Sequence, residues 1–86
     1  MALGELMEPY DRLENTTLEM RRAVASIIEE LEAMSWYAQR IDATKDPELK
    51  AILAHNRDEE KEHAAMLVEW LRKNDRTQDK VFEEHD

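Results

Sequence analysis

From Leu3 onward, apolar residues recur in alternating steps of three and four. The stripe takes in Leu6, Tyr10 and Leu13, lapses once at the polar Thr17, and continues through Met20, Val24, Ile27, Leu31, Met34, Ala38 and Ile41. That period belongs to an amphipathic helix, so a long first helix is expected over about residues 7–41, firmest between Thr17 and Arg40. Two signals compete for its start. Thr16 with Glu19 makes a capping box, while the stripe extends upstream of it, and Pro9 favours a break or a late start. Asp42 to Glu48 is the one clear turn. Asp46 suits an N-cap, Pro47 the first helical position, and Glu48 the positive end of a new helix dipole. A second helix follows over about 47–73, closed by Asn74-Asp75. Residues 76–84 predict a short third helix that carries Val81 and Phe82 and has little to bury.

The second helix breaks its own pattern. Its stripe reads Leu49, Leu53, Asn56, Glu60, His63, Leu67, Trp70, so the centre of an otherwise apolar seam is polar. A helix that buries this seam takes Glu60 and His63 with it, and a buried charge is tolerated only when paired, hydrogen-bonded or bound to metal. The two stand three residues apart, one above the other on one face. This is a Glu-x-x-His metal pair, which carboxylate-bridged di-iron bundles combine with a lone inward Glu from a partner helix.

That lone Glu has a candidate. In an antiparallel hairpin, residues equally far from the turn lie side by side. Glu60 is 14 residues beyond Asp46, and 14 to 16 residues back stand Glu32 and Glu30. Glu30 is offset from Glu60 by about 3 Å of helix rise, so the two can meet. Glu30 also sits on a line of small and polar residues, Ala23, Ser26, Glu30, Ala33 and Tyr37, along which another helix can approach closely. One lone Glu and one Glu-x-x-His make half of a four-helix di-iron site. A two-fold axis relating two chains supplies the other half. The fold class expected is therefore all-α: an antiparallel two-helix hairpin plus a short C-terminal helix, completed to a four-helix bundle by dimerisation.

Composition sharpens this reading. Twelve Lys and Arg stand against 21 Asp and Glu, a net charge of −9, which argues against nucleic acid or an anionic membrane as partner and suits a cation. One Gly, two Pro and no Cys describe an almost wholly helical chain without disulfides, thiol chemistry or iron–sulfur ligation. No apolar run reaches the length of a membrane span, and Glu5 and Glu8 lie where a signal peptide needs positive charge, so a cytoplasmic location is expected. At 86 residues with 38% charged, the chain buries little core alone, which again points to an oligomer. Oxygen-rich ligation with one imidazole per metal suits iron or manganese better than a structural zinc.

Other candidates carry a plainer reading beside the chemical one. His55 lies eight residues from His63, about 12 Å along the axis, and reads as a partly exposed hydrogen-bonding residue. His85 reads as a solvated residue of the tail. Glu29, Glu32 and Trp36 line another flank of the first helix: by default an exposed acidic pair, or, facing its symmetry mate, a site for a divalent cation such as calcium. Met20, Met34 and Met66 read as core filler. Tyr37 is two turns from Glu30 on the same line, consistent with contact to the site or with packing alone.

The stretch IIEELEAMSWYAQRIDATKDPELKAILAHNRDEEKEHAAMLVEWLRKND resembles the encapsulated ferritins, the ferritin-like cargo of encapsulin shells. The likeness covers about residues 24–75 and rests on the combination of EELEA, WY and NRDEEKEHAAM. It implies a ferritin-like bundle completed across a dimer interface, dimers assembled into a decameric ring, and enclosure in an encapsulin nanocompartment. It also implies a ferroxidase that oxidises Fe(II) to Fe(III) for mineral storage. By motif position Glu30, Glu60 and His63 match the iron ligands and Tyr37 a residue beside them. Glu29, Glu32 and Trp36 match the family's metal-attracting site. Family members commonly carry a C-terminal targeting peptide, and Phe82 to Asp86 do not resemble one. Two other classes share the raw features. A di-iron peroxidase of the hemerythrin or rubrerythrin kind would bring more His or a Cys-rich domain. A non-catalytic helical assembly module would pair Glu60 and His63 with Arg or Lys.

Overall fold

The fold is seen in a computed structural model, which describes residues 3–86. Three α-helices follow a short 3-10 turn at Tyr10–Arg12: α1 spans Asn15–Ala43, α2 Pro47–Asn74 and α3 Arg76–His85, and there is no strand among the described residues. The architecture is all-α, a long antiparallel hairpin of α1 and α2 with α3 packed against α2.

The hairpin turn forms as its residues dictate. The Thr44 amide donates to the Arg40 carbonyl, closing α1, and the Asp46 amide donates to Thr44 Oγ1 at 3.2 Å. Asp46 then caps α2 by accepting from the Glu48 amide at 3.0 Å, with Pro47 in the first turn, where its missing N–H costs nothing. A second Asx cap starts α3: Asp75 accepts from the Gln78 amide at 3.0 Å. The α2–α3 junction is held by Arg72, which donates to Asp79 Oδ1 at 2.8 Å, lies 3.6 Å from Asp86 and stacks over the Phe82 ring. The tail therefore does find something to hold.

The first helix begins later than the stripe suggests, at Asn15 instead of about residue 7. Pro9, Leu13 and Glu14 all have extended backbone, so the helix cannot run through them. The capping box is not used either. Glu14 is the N-cap without a side-chain bond, Thr16 lies inside the first turn, and Glu19 pairs with Arg22. Leu3 and Tyr10 continue the apolar pattern without continuing the helix: with Leu6, Leu18 and Ala25 they line a groove beside α1. Arg21 ties this arm down by donating to the carbonyl of Gly4, whose φ of 63° is one that glycine adopts without steric cost.

Little of one chain is buried. Among the described residues only Leu18, Ala23 and Ala64 are buried apolar positions. On α1 the line Ala23, Ser26, Glu30, Ala33, Tyr37 is buried or half-buried, and so are Met20, Val24, Ile27, Met34, Ala38 and Ile41 of the apolar stripe, while other large residues remain outside: Leu31 is 50% exposed, Ile52 52% and Met66 64%. The expected burial of the whole Leu49-to-Trp70 seam does not occur in one chain. Leu49, His63 and Trp70 are exposed and Glu60 is half-buried, because a hairpin covers only one side of each helix. Met66 is correspondingly no core filler here. The molecule is one layer of helices, 51 × 32 × 15 Å, with a radius of gyration of 16.4 Å where a compact chain of this length has about 12 Å. Its accessible surface is 6953 Å², against about 5,300 Å² for a folded monomer of this mass.

Candidate metal centre

Midway along the hairpin, α1 presents Glu30 and α2 presents Glu60 and His63. Glu30 reaches the seam because its neighbours along the line are small: Ala23 is buried, and Ser26 folds its hydroxyl back onto the Arg22 carbonyl at 2.9 Å. Glu60 and His63 are one turn apart, which stacks carboxylate and imidazole on one side of α2. Glu30 Oε2 lies 3.5 Å from His63 Nδ1, and Glu60 Oε2 lies 3.7 Å from the same nitrogen. One ligand atom from each residue falls within 4.8 Å of the others, and no second cluster of this kind is found among the described residues.

These three groups do not satisfy one another. Glu30 Oε2 is buried without a hydrogen-bond partner, which for a carboxylate oxygen costs stability unless a cation or donor compensates. Basic side chains do not supply it. Arg57 and Lys61 lie 3.5 and 3.7 Å from Asp58, the Arg57 Nε buried without a hydrogen-bond partner of its own, and among the described residues no Lys or Arg nitrogen reaches the carboxylates of Glu30 or Glu60. The alternative in which Glu60 pairs with Arg or Lys is thus not the arrangement adopted within one chain. Two carboxylates and a borderline imidazole, one carboxylate oxygen orphaned, fit a divalent or trivalent metal of the iron and manganese type. The His63 side chain remains 47% exposed against 25% for Glu30, so solvent reaches the group from the α2 side chain.

Comparison with known proteins gives the chain a family. A family model described as EncFtn-like matches residues 5–85. This chain belongs to the EncFtn-like family. Among curated relatives, the encapsulated ferritin-like protein of Rhodospirillum rubrum is 65% identical over 68 residues, which is 79% of this chain and 49% of that protein. The ferritin-like protein of Thermotoga maritima is 54% identical over 78% of this chain and 59% of its own length. An encapsulin nanocompartment cargo protein of Myxococcus xanthus is 46% identical over 70% of this chain and 47% of its own length. The chain thus spans about half the length of the curated relatives it matches. The crystal structure of a Nitrosomonas europaea protein superposes with a TM-score of 0.87 at 57% identity, covering 92% of this chain and 88% of that one.

The remaining candidates of this EncFtn-like chain lie apart from the trio. Glu29, Glu32 and Trp36 are exposed on α1, Trp36 by 51%. Tyr37 is half-buried with the Arg40 guanidinium 5.5 Å over its ring, and no hydrogen bond joins it to Glu30, Glu60 or His63. His55 does not reach the trio but is linked to it. Its Nε2 lies 3.4 Å from Glu59 Oε1, and Glu59 Oε2 lies 4.0 Å from His63 Nε2. Glu59 escaped the reading of the chain because it falls outside the inward stripe. The signal was the spacing His55, Glu59, His63, two successive steps of four. No helix is long and apolar enough to cross a membrane among the described residues.

Proposed function

We propose that this chain is a ferroxidase whose substrate, ferrous iron, is bound and oxidised between two copies of the protein. The observation that carries this reading is the convergence of Glu30, Glu60 and His63 with an orphaned carboxylate oxygen and no basic side chain to neutralise it. One chain offers two carboxylates and one imidazole, half of the set that di-iron bundles use, two Glu and two Glu-x-x-His. A second copy related by a two-fold axis completes both the ligand set and the apolar packing. The excess accessible surface of the single chain, about 1,600 Å² over that of a compact monomer, is large enough for such contacts.

In this reading Glu60 of each chain bridges two irons, His63 caps one, and Glu30 completes each sphere. Anionic oxygen ligands stabilise Fe(III) over Fe(II), which provides part of the driving force. Two Fe(II), one dioxygen and two protons give two Fe(III) and one hydrogen peroxide, so paired irons match the two electrons needed. Tyr37 borders the site without ligating. Glu29, Glu32 and Trp36, on the neighbouring flank, attract iron or another divalent cation such as calcium towards the centre. A two-helix unit has no room for mineral, so the oxidised iron is stored outside the subunit. The setting in this reading is a ring of dimers inside an encapsulin nanocompartment, and the cargo name of the Myxococcus relative supports the enclosure.

Stopped-flow oxidation of Fe(II) by the parent protein, Glu60→Ala and His63→Ala tests the proposal. The parent is expected to oxidise iron and both variants to fall to the uncatalysed rate. Equal rates in all three overturn the enzyme reading.

A further inference from the structure

The imidazole of His63 has two nitrogens, and a metal can take only one in its unprotonated form. Nδ1 faces Glu30 and Glu60 at 3.5 and 3.7 Å, while Nε2 faces Glu59 at 4.0 Å. The other oxygen of Glu59 lies 3.4 Å from His55 Nε2. Residues 55, 59 and 63 are successive steps of four on α2, so the three side chains lie along one side of the helix. This places a carboxylate between two imidazoles, one of which belongs to the proposed iron site.

Resting on the ferroxidase reading, we propose that Glu59 is a positioning residue: it accepts the Nε2 proton of His63, fixes the ring with unprotonated Nδ1 turned to the iron, and is itself held by His55. A metal-ligating histidine commonly donates its second N–H to a carboxylate, which sets both tautomer and ring orientation. Polar contacts in sites of this kind are commonly long until the full ligand set is assembled, so 4.0 Å suits a contact that tightens when iron binds. The arrangement also accounts for His55, which is too far along the helix to ligate the same metal. Glu59 is about half exposed, so its role is orientation and not the burial of a charge.

Two readouts on the full-length protein test this. The first is the ring nitrogen of His63 that carries the proton when diamagnetic Zn(II) is bound, from long-range nitrogen–proton correlation. The parent is expected to hold the proton on Nε2, Glu59→Ala to populate both tautomers, and Glu59→Gln, whose amide oxygen still accepts, to keep most of the parent preference. The second is the affinity for Co(II) as a redox-silent probe, by calorimetry. Glu59→Ala is expected to weaken binding about 10- to 100-fold, the range typical of outer partners, and His55→Ala by less. Glu62→Ala, which removes the same charge from an exposed position on α2, is expected to leave tautomer and affinity near the parent values.

A parent tautomer with the proton on Nδ1, or a Glu59→Ala variant indistinguishable from the parent in both readouts, overturns the positioning role. So does an equal loss in Glu59→Ala and Glu62→Ala, which would mark a general charge effect. Failure of the ferroxidase reading looks different: Co(II) and Zn(II) then still bind the parent and respond to Glu59, while Fe(II) is not oxidised above the uncatalysed rate.

Discussion

Two polar clusters lie along α2, and they are built in opposite ways. At its C-terminal end Arg72 is satisfied within one chain: Asp79 accepts its hydrogen bond, Asp86 and Glu69 stand nearby, and Phe82 lies against the guanidinium. The hydrogen bond to Asp79, above all, raises the Arg72 pKa above its ordinary value, against an opposing effect of desolvation. At the middle of the helix Glu30, Glu60 and His63 converge with like-charged carboxylates and an orphaned oxygen. The first cluster closes a fold, and the second leaves a carboxylate oxygen without a partner. A polar group left without an internal partner in a seam that packing has shaped is the better marker of function, because stability alone would have paired it.

The comparison can be broken most forcefully at the middle cluster. Glu30→Gln keeps the shape and removes one charge, so Fe(II) oxidation is expected to fall by at least about 100-fold, at or beyond the loss typical of outer partners. The same change is expected to raise the melting temperature of the metal-free protein, since facing carboxylates repel. Lower metal-free stability in Glu30→Gln would mean that this carboxylate is structural, like those around Arg72. Chelating all metal should likewise shift native mass towards smaller species, and an unchanged mass counts against metal-assisted assembly.

A second effect concerns the exposed apolar side. Leu31→Lys places a charge beside Glu30 on a surface that the proposed dimer covers, at a cost of several kcal/mol if the charge is buried unpaired. Sedimentation should show loss of the dimer, with helical circular dichroism largely kept and iron oxidation lost. A dimer as strong as the parent's would place the two-fold contact elsewhere.

Arg72→Ala gives a local loss. Hydrogen exchange in residues 76–85 should quicken while α1 and the first half of α2 keep their protection, and iron oxidation should persist. A guanidinium whose folded pKa is raised contributes stability that is present below its unfolded pKa and lost only as pH rises through the folded one. Both lie at the alkaline extreme, so deprotonation of Arg72 should not weaken the junction between pH 5 and 9, and thermal unfolding across that range checks it. The smallest effect is at the turn. Asp46→Ala removes the cap of α2 and should cost about 1 kcal/mol in thermal unfolding, without moving the site.

Much of this was legible in the order of residues. The turn at Asp46-Pro47 fixed where the hairpin folds, and counting outward from it put Glu30 at the depth of Glu60 and His63, where the structure has it. Helical spacing is rigid enough for such counting, at 1.5 Å per residue. The start of α1 was less legible, since the apolar period runs through Pro9 to Glu14 while the backbone there makes only a 3-10 turn and is extended at Leu13 and Glu14. Hydrophobic residues at a helical spacing can equally serve an arm that folds alongside.

Three things only the tertiary structure decided. It chose which side of each helix faces inward, half-burying the small-residue line of α1 together with most of its apolar stripe and leaving Leu31, Ile52 and Met66 outside. It set Arg57 and Lys61 on Asp58 instead of on Glu60, which no spacing rule could have told apart. It also set Glu59 between His55 and His63, the two rings it lies beside. The sequence determines spacing along a helix because backbone geometry is local. The rotation of one helix against another, and the choice among several possible charge partners, depend on the summed packing of both, which no single stretch contains.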